Sequence, residues 1–243
     1  MRRAMRRLFF ALTPLLLAPL SLQATEWSAP KLAGAMAAAV EDGDATARVK
    51  MTSPDTGVLQ IRIKSRRTPE NAITAYEILW PNERKGEAFV VRKSGGGMVK
   101  APGGATSKLG AADMSKPVFG TALAYADVIE NFFRWDNQAL GGMETVGKTE
   151  CVVLESRPGA KDTSIYGKVR SWIDPRRMVT LRVEKYDKSG KPVRRIETTQ
   201  VAKDDTGRNV PAGMTVTAGG KTTEIDGANI RHDVQHADTD FAF

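Results

Sequence analysis

Two histidines, His232 and His236, stand four residues apart near the end of the chain, and Asp238 and Asp240 follow them closely. On a helix this spacing would put both imidazoles on one face and suggest a zinc pair. The segment is typical of a strand leading to the chain end, where side chains four apart share a face but lie too far apart to hold one ion easily. We therefore predict two solvent-facing histidines and no metal site.

Signatures of a catalytic nucleophile are equally thin. There is no Gly-x-Ser-x-Gly elbow, and the single cysteine, Cys151, lies in an apolar, strand-like run where it is expected to pack rather than react. The glycine-rich stretch of residues 94–107 contains no Gly-Lys-Ser/Thr and opens no helix, so it indicates a hairpin rather than a phosphate-binding loop. These motifs predict a protein that is not an enzyme and that has no cofactor.

The first 24 residues are typical of an export signal. Four arginines among residues 2–7 precede an apolar run over residues 8–22, and Ala24 offers a small-residue cleavage position. The run is short for a bilayer crossing, and Pro14 and Pro19 interrupt it. We predict a secretory signal peptide that is cleaved after Ala24, which leaves residues 25–243 as one soluble, exported domain.

Charge gives little support to a nucleic-acid partner. The formal net charge is +8, but the signal peptide carries four arginines and no acids, so the mature chain retains only +4. The other basic residues are scattered along strands, often beside acids, which predicts a solvated surface of mixed charge and no binding to nucleic acid. Arg182, Arg194 and Arg195 are expected on this solvated outer face.

Short segments with a period of two dominate the mature chain. Apolar and polar residues alternate over residues 45–51 and 59–63, which predicts a hairpin with one apolar face. Residues 169–201 indicate three successive strands, separated by Asp174-Pro175 and by a turn at residues 187–192. About ten or eleven strands result, and an antiparallel sheet of that size curls, splits or flattens. The predicted fold is mainly β, an incomplete (unclosed) antiparallel β-barrel covered by short α-helices.

Two helices are predicted alongside these strands. The first runs from Pro30 to about Glu41 and is rich in alanine. The second, over residues 116–140, is strongly amphipathic and aromatic, with Asp127 and other polar residues on the opposite side. Its apolar face would cover another apolar surface. That face comprises Tyr125, Val128, Ile129, Phe132 and Phe133.

Several stretches, taken in order, are similar to those of one known family. Residues 80–89 (Trp-Pro-Asn-Glu-Arg-Lys-Gly-Glu-Ala-Phe) resemble a proline-to-glycine turn between strands, and residues 119–128 (Phe-Gly-Thr-Ala-Leu-Ala-Tyr-Ala-Asp-Val) resemble a Phe/Gly and Tyr-x-Asp segment. The opening meander and the tail of residues 214–243 resemble the family's first and closing strands. The family is that of the outer-membrane lipoprotein-sorting (LolA-like) proteins, and the similarity spans most of the mature chain.

The resemblance implies a periplasmic, non-enzymatic carrier. Its unclosed barrel would hold the acyl chains of a lipid or lipoprotein on a concave apolar face, under a helical lid, for transfer toward the outer membrane. Inner- or outer-membrane proteins are possible partners, a monomer is expected, and Arg48 is the candidate for the family's lid-anchoring arginine. The residues expected to contact lipid are Phe89, Val91, Phe119, Tyr125, Val128, Ile129, Phe132, Phe133, Leu181 and Val183.

Two other function classes remain open. A periplasmic accessory or interaction protein of an inner-membrane transporter would use the curved sheet to bind protein, and a hydrolase would use His232 or His236 as its base. The carrier is favoured because a curved sheet covered by an aromatic helix shields an acyl chain from water, at about 25 cal/mol per Å² of apolar area.

Overall fold

One antiparallel sheet organises the computed structural model, which describes residues 27–40, 44–67, 72–92 and 96–242. The predicted signal peptide of residues 1–24 lies outside the described residues, as do residues 93–95 of the glycine-rich region. The strands are β1 (Ala45–Ser53), β2 (Gly57–Arg67), β3 (Ala72–Trp80), β4 (Ala88–Arg92), β5 (Gly97–Lys100), β6 (Thr106–Leu109), β7 (Asn137–Val146), β8 (Thr149–Arg157), β9 (Tyr166–Asp174), β10 (Val179–Asp187), β11 (Pro192–Lys203), β12 (Asn209–Ala218) and β13 (Lys221–His232).

The sheet consists of two meanders joined side by side. Its strand order is β6-β5-β4-β3-β2-β1-β13-β12-β11-β10-β9-β8-β7. Among the described residues, all paired strands are therefore consecutive in sequence except β1 and β13, which lie at opposite ends of the chain. β6 and β7 are the two edges and do not pair with each other, which confirms the predicted unclosed antiparallel barrel. The thirteen strands exceed the predicted ten or eleven because β6 and most of β7 are polar or glycine-containing segments without an alternating pattern.

The first hairpin shows how alternation fixes the register. Ala47 of β1 lies opposite Ile63 of β2 and, on its other side, opposite Ile230 of β13, so three strands present apolar side chains on one face. Gly57 closes the turn with φ of 64°, a left-handed conformation that glycine adopts without steric cost. We call this face, which Met51 continues into the core, the inner face.

The β1–β13 junction contains a bulge that requires glycine. The register shifts between Arg48 and Lys50, and Gly227 of β13 lies at this irregularity. A Cβ added to Gly227 would lie 2.7 Å from Val49 Cγ1 and 2.8 Å from the Arg48 carbonyl oxygen, closer than real Cβ contacts. A side chain at this position would therefore push the two halves of the sheet apart.

The meander predicted over residues 169–201 is confirmed as β9, β10 and β11. Asp174 ends β9, where its carboxylate accepts hydrogen bonds from the backbone N–H groups of Arg176 and Arg177. Lys185 and Arg194 lie directly opposite each other in β10 and β11, so their side chains share one face of the sheet.

The predicted long helix over residues 116–140 is wrong. The helix in this region, α2 (Tyr125–Ile129), has five residues, and a 3₁₀ turn (Phe132–Arg134) precedes β7. The Asp127 carboxylate accepts a hydrogen bond from the Ala124 N–H at 2.7 Å and starts the helix. Packing overrides the helical spacing of the aromatic residues, because Tyr125 packs in one cluster and Phe132 and Phe133 pack against another.

The predicted first helix is confirmed as α1 (Ala29–Val40). Leu32 and Met36 are buried against Phe133 of the 3₁₀ turn and against Val152 and Leu154 of β8. Alanine elsewhere lets the helix approach the sheet closely, so most of its apolar contact depends on those two large side chains. Within the described residues, no helix is both long enough and apolar enough to cross a membrane.

Leu32→Ala is expected to lower the free energy of unfolding by about 2–5 kcal/mol, because it leaves a cavity at a fully buried position between helix and sheet. Urea denaturation followed by circular dichroism would measure the change. Val40→Ala, at an exposed position of the same helix, is the control and should change stability by less than about 0.5 kcal/mol. Equal losses in the two variants would show that α1 is not held by this packing.

The C-terminal segment packs on the outer face of the sheet. Lys64 and Arg66 of β2 each pair with an aspartate of this segment, Asp240 and Asp238, at 2.7 Å. Phe241 is buried in a small cluster on the same face. The prediction that His236 faces solvent is wrong: its side chain is 4% exposed, and its Nε2 lies 3.0 Å from the Ala45 carbonyl oxygen. Its position results from the docking of the whole segment.

Candidate functional site

Residues 111–135 cross the inner face of the barrel, and we call them the lid segment. It consists of short turns and α2 rather than one long helix. Phe119, Leu123 and Tyr125 are buried in one cluster with Phe89 of β4. The Phe89 ring centroid lies 5.3 Å from that of Phe119 and 5.1 Å from that of Tyr125. The lid segment therefore fills this part of the barrel with aromatic side chains.

A buried ionic cluster fastens the lid segment to the C-terminal strands. Asp127 of α2 pairs with Lys185 Nζ at 2.8 Å and with Arg194 Nη1 at 2.9 Å. The Asp127 side chain is 0% exposed and that of Lys185 is 1% exposed. The Tyr166 hydroxyl donates to Asp127 Oδ1 at 2.7 Å and also contacts Arg194 Nη1. We call these four residues the lid anchor.

The lid backbone is held by further hydrogen bonds from the barrel. Arg194 Nε donates to the Ala122 carbonyl oxygen at 2.9 Å, and the Ala122 N–H donates to Thr223 Oγ1 of β13 at 2.9 Å. On the other side, Arg84 Nη1 donates to the Phe119 carbonyl oxygen at 3.2 Å. Side chains from both halves of the sheet thus position the lid segment.

Two predictions about arginines need correction. Arg194 does not lie on a solvated outer face, because its partner in register is the buried Lys185 and both point inward to Asp127. Arg182 and Arg195 form partly exposed pairs with Glu197 and Glu184, as expected of an outer face. Arg48, the candidate lid-anchoring arginine, is exposed on β1, and Lys185 and Arg194 hold the lid instead.

The surroundings of Asp127 keep its carboxylate ionised. Burial by itself raises the pKa, but the charges of Lys185 and Arg194 and the hydrogen bonds that the carboxylate accepts outweigh burial, so the pKa of Asp127 is lowered. Burial raises the pKa of Glu130, with an opposing contribution from its 2.6 Å hydrogen bond with Ser164. Burial and the Asp127 charge raise the pKa of the Tyr166 hydroxyl, which therefore stays protonated as a donor.

Acidification should weaken the lid anchor. A carboxyl group whose pKa is lower in the folded than in the unfolded protein contributes stability above the unfolded pKa of about 3.9, and this contribution is lost as the pH falls through the folded value. We expect the free energy of unfolding to fall more steeply below about pH 4 in the wild type than in Asp127→Asn. Denaturant titrations at several pH values measure both slopes; parallel slopes would contradict an ionised Asp127.

An open cavity of about 460 Å³ lies at a part of the inner face that includes Ala47, Ile63 and Ile230, and no residue of the lid segment lines it. Its walls come from β1, β2, β12 and β13, from the end of α1, and from the turns after β9 and β11. The apolar lining consists of Ala39, Val40, Ala45, Ala47, Ile63, Met178, Val210 and Ile230, and the polar lining of Thr46, Ser65, Arg67, Arg177, Asp204, Arg208, Asn209 and His232.

A hydrogen-bonded hairpin forms one side of the cavity mouth. His232 Nδ1 lies 2.6 Å from Asp205 Oδ1, and its Nε2 lies 2.7 Å from Arg208 Nη2. A guanidinium can only donate, so Nε2 accepts and the imidazole proton is on Nδ1. His232 is thus mostly buried and engaged, which corrects the prediction that it faces solvent.

Asp204, Asp205 and His232 also bring ligand-type atoms within 4.8 Å of one another. The imidazole nitrogens are both used, however, and a cation bound at Nε2 would have to displace the positively charged guanidinium of Arg208. Asp204 is occupied as well, because it accepts hydrogen bonds from the backbone and hydroxyl of Thr206. The side chains of this cluster therefore stabilise the turn between β11 and β12 by hydrogen bonds and are not arranged to bind a metal ion.

The residues predicted to contact lipid fall into several clusters, and none of them lines the open cavity. Six are found in or next to the aromatic cluster under the lid segment. Phe89, Val91, Phe119 and Tyr125 belong to this cluster, and Val128 and Ile129 pack against it. Phe133 packs under α1, and Phe132 packs both against this cluster and against the one that contains Tyr166. Val183 belongs to the cluster with Tyr166, and Leu181 packs with Cys151 and Trp172. Their contact with lipid stays a prediction.

Apart from His232, the cavity-lining residues were not singled out in the sequence, although part of the signal was present. Ala47 and Ile63 belong to the alternating apolar face of the first hairpin. Ile230 and Val210 lie in later strands, and only the pairing of β1 with β13 brings Ile230 opposite Ala47. The cavity is thus a product of the sheet topology.

Comparisons with known proteins agree with this architecture. A family model described as "Uncharacterized protein" matches residues 103–242. A DUF1329 family protein from Desulfovibrio piger has a similar structure, with a TM-score of 0.79, 19% identity and coverage of 88% of this chain and 95% of its own. A comparison with curated proteins finds no significant match.

Two further solved structures are similar. A domain assigned to outer membrane lipoprotein-sorting proteins, from Vibrio parahaemolyticus, has a TM-score of 0.77 at 21% identity and covers 88% of this chain and 96% of its own. A LolA superfamily protein from Nitrosomonas europaea has a TM-score of 0.69 at 18% identity, with coverage of 90% and 99%. The chain therefore belongs to the protein family whose model matches residues 103–242, and its fold is that of the LolA-like, outer-membrane lipoprotein-sorting proteins.

Proposed function

We propose that this protein is a non-enzymatic carrier that holds an acyl chain of a lipid or lipoprotein in the cavity of its unclosed barrel. The cavity carries this proposal. Its volume of about 460 Å³ lies within the range of about 300–1,000 Å³ typical of small-molecule sites. The apolar part of its lining includes Ala47, Ile63 and Ile230 of the inner face, and burying an acyl chain against these side chains would gain about 25 cal/mol per Å².

The lid segment offers a way to enlarge this site. Its aromatic residues Phe119 and Tyr125 occupy the same inner face that continues into the cavity, and Ile63 both lines the cavity and packs against the aromatic cluster. Movement of the lid would expose Phe89 and Val91 to a longer or second acyl chain. In this proposal the six predicted lipid contacts that belong to or pack against the aromatic cluster form the inner extension of the cavity.

The proposed location is supported by the sequence of residues 1–24 and by the similar solved structures. We propose that cleavage after Ala24 releases the mature chain into the periplasm, where it transfers its cargo toward the outer membrane. The sequence of residues 1–24 supports export, and the similar Vibrio parahaemolyticus domain is named for outer membrane lipoprotein sorting. A hydrolase is disfavoured because the hydrogen-bond partners of His232 are a carboxylate and a guanidinium rather than a nucleophile.

Native mass spectrometry tests the proposal. Mature protein, residues 25–243, would be purified without detergent from the periplasmic fraction and analysed before and after incubation with phospholipid vesicles or an acylated peptide. We expect adducts with the masses of acyl-bearing molecules. A protein that carries no lipid after purification and acquires none from either donor would refute the carrier.

An accessory protein of an inner-membrane transporter is the second candidate, and the edge strand β7 favours it. Leu140 and Met143 of this strand are exposed, and a free strand edge can pair with a partner's strand. Under this alternative, Met143→Asp would abolish partner binding while lipid binding remains unchanged. Affinity measurements with each candidate transporter component, using the same variant in the lipid assay, would separate the two functions.

A further inference from the structure

The charges around the cavity mouth differ in their exposure. Arg177 and Arg208, which line the cavity, have side chains that are 40% and 37% exposed. Their carboxylate partners, Asp174 and Asp204, are 5% and 0% exposed. In each ion pair the cation is therefore the more exposed partner, although the almost fully buried Asp204 is also part of the cavity lining. Arg67 adds a third guanidinium to the lining.

The two buried carboxylates are committed to local structure. Asp174 accepts hydrogen bonds from the N–H groups of Arg176 and Arg177, and Asp204 accepts from the Thr206 hydroxyl and from backbone N–H groups of its hairpin. Burial raises the pKa of both groups, but these hydrogen bonds outweigh it and the pKa of each is lowered. Neither carboxylate is placed to receive a ligand.

Arg177 is held in position and still has donors to offer. Its Nε donates to Asp174 Oδ2 at 2.5 Å, and its carbonyl oxygen accepts from Asn209 Nδ2 at 3.3 Å. Its two terminal nitrogens, which carry four N–H groups, bond to no residue in the described part of the chain. A fixed guanidinium with a free face suits the planar, bidentate recognition of a carboxylate or phosphate.

We propose that the cavity mouth binds the anionic headgroup of an amphiphile, a phosphate or a carboxylate, whose acyl chain lies in the apolar cavity. Arg177 is the principal contact, and Arg67 and Arg208 supply positive charge around it. The inference rests on the proposed carrier function and narrows its cargo to lipids with a negative headgroup, such as fatty acids or phospholipids. An uncharged acylglycerol would fill the same cavity without this contact.

Three amphiphiles with the same chain test the inference. Laurate, lauroyl lysophosphatidylglycerol and monolaurin would be titrated into mature protein by calorimetry. We expect the two anions to bind about tenfold more tightly than monolaurin, which corresponds to about 1.4 kcal/mol. Raising the salt concentration should weaken only the anions, because their contact with an exposed arginine is screened.

Arg177→Gln should lower the affinity for both anions about three- to tenfold and leave monolaurin unchanged. Arg176→Gln, at the exposed neighbouring position outside the cavity lining, should change none of the affinities.

Equal affinities of the three compounds for the wild type would overturn the headgroup site but leave the carrier function standing. This comparison uses the wild type alone, so it holds even if Arg177→Gln is unstable. Inorganic phosphate that binds as tightly as the lysophospholipid would also overturn it. Binding of none would refute the carrier itself.

Discussion

Asp127→Ala is expected to destabilise the protein by about 3–5 kcal/mol, because it leaves Lys185 and Arg194 buried without their common anion. The loss of a buried ion-pair partner costs more than the loss of packing at a residue of this size. The variant would also release the hydrogen bond that starts α2. Urea denaturation measures the change, and limited proteolysis within residues 111–135 reports on detachment of the lid segment.

Two controls separate buried charge from other effects. Asp226→Ala removes an ion pair with Lys50 in which both side chains are largely exposed, so it should cost less than about 1 kcal/mol. The triple variant Asp127→Leu, Lys185→Met and Arg194→Met removes all the charges together and should lose less stability than Asp127→Ala alone. If the triple variant is less stable than Asp127→Ala, the stability of the lid anchor does not depend on mutual neutralisation of its buried charges.

Ala47→Phe is expected to reduce acyl-chain binding at least tenfold, which is the largest functional effect of a single substitution in the cavity. Ala47 lines the cavity between Ile63 and Ile230, and an aromatic ring there would occupy the space proposed for the chain. Binding of a fluorescent fatty-acid analogue, measured by titration of the mature protein, reports the loss.

The adjacent residue provides the matched control. Arg48 is exposed, and Arg48→Phe introduces the same ring on the same strand with its side chain directed away from the cavity. It should bind the analogue as the wild type does. If both variants lose binding, the effect comes from the strand rather than the cavity; if neither does, the chain binds elsewhere.

The sequence predicts the fold well where side chains alternate and poorly where packing decides. The hairpin of β1 and β2 and the meander of β9 to β11 follow from strict alternation and turn residues, and both are found. The helix predicted over residues 116–140 is not found: the backbone leaves the helical conformation at Glu130 and Asn131, and Phe133 then packs in the cluster under α1. Helical spacing of apolar residues indicates burial, not conformation.

The lid anchor was missed although a signal was present. Lys185 follows Val183 at strand spacing and Arg194 precedes Ile196, so both charges are in phase with apolar residues that face inward. A charge at such a position predicts a buried partner. Which partner it finds depends on the placement of Asp127 in the lid segment, and that contact spans 58 and 67 residues of sequence, too far for a local pattern.

The cavity itself lay beyond sequence reasoning for a similar reason. Its apolar wall combines Ile63 of the second strand with Ile230 of the last, and its polar mouth combines Arg177 with the hairpin at Asp204. The two apolar residues meet only because β1 pairs with β13 and joins the two meanders into one sheet. Alternation predicts that each residue is on the inner face, but not that this part of the face stays uncovered.

Photo-crosslinking of a bound acyl chain tests the central claim most directly. A fatty acid with a diazirine at its terminal carbon would be bound to the mature protein, irradiated, and the modified peptides mapped by mass spectrometry. We predict labelling of the inner-face residues Ile63, Val210 and Ile230 that is suppressed in Ala47→Phe. Labelling confined to the outer face, or equal labelling in Ala47→Phe, would contradict a carrier that holds its cargo in this cavity.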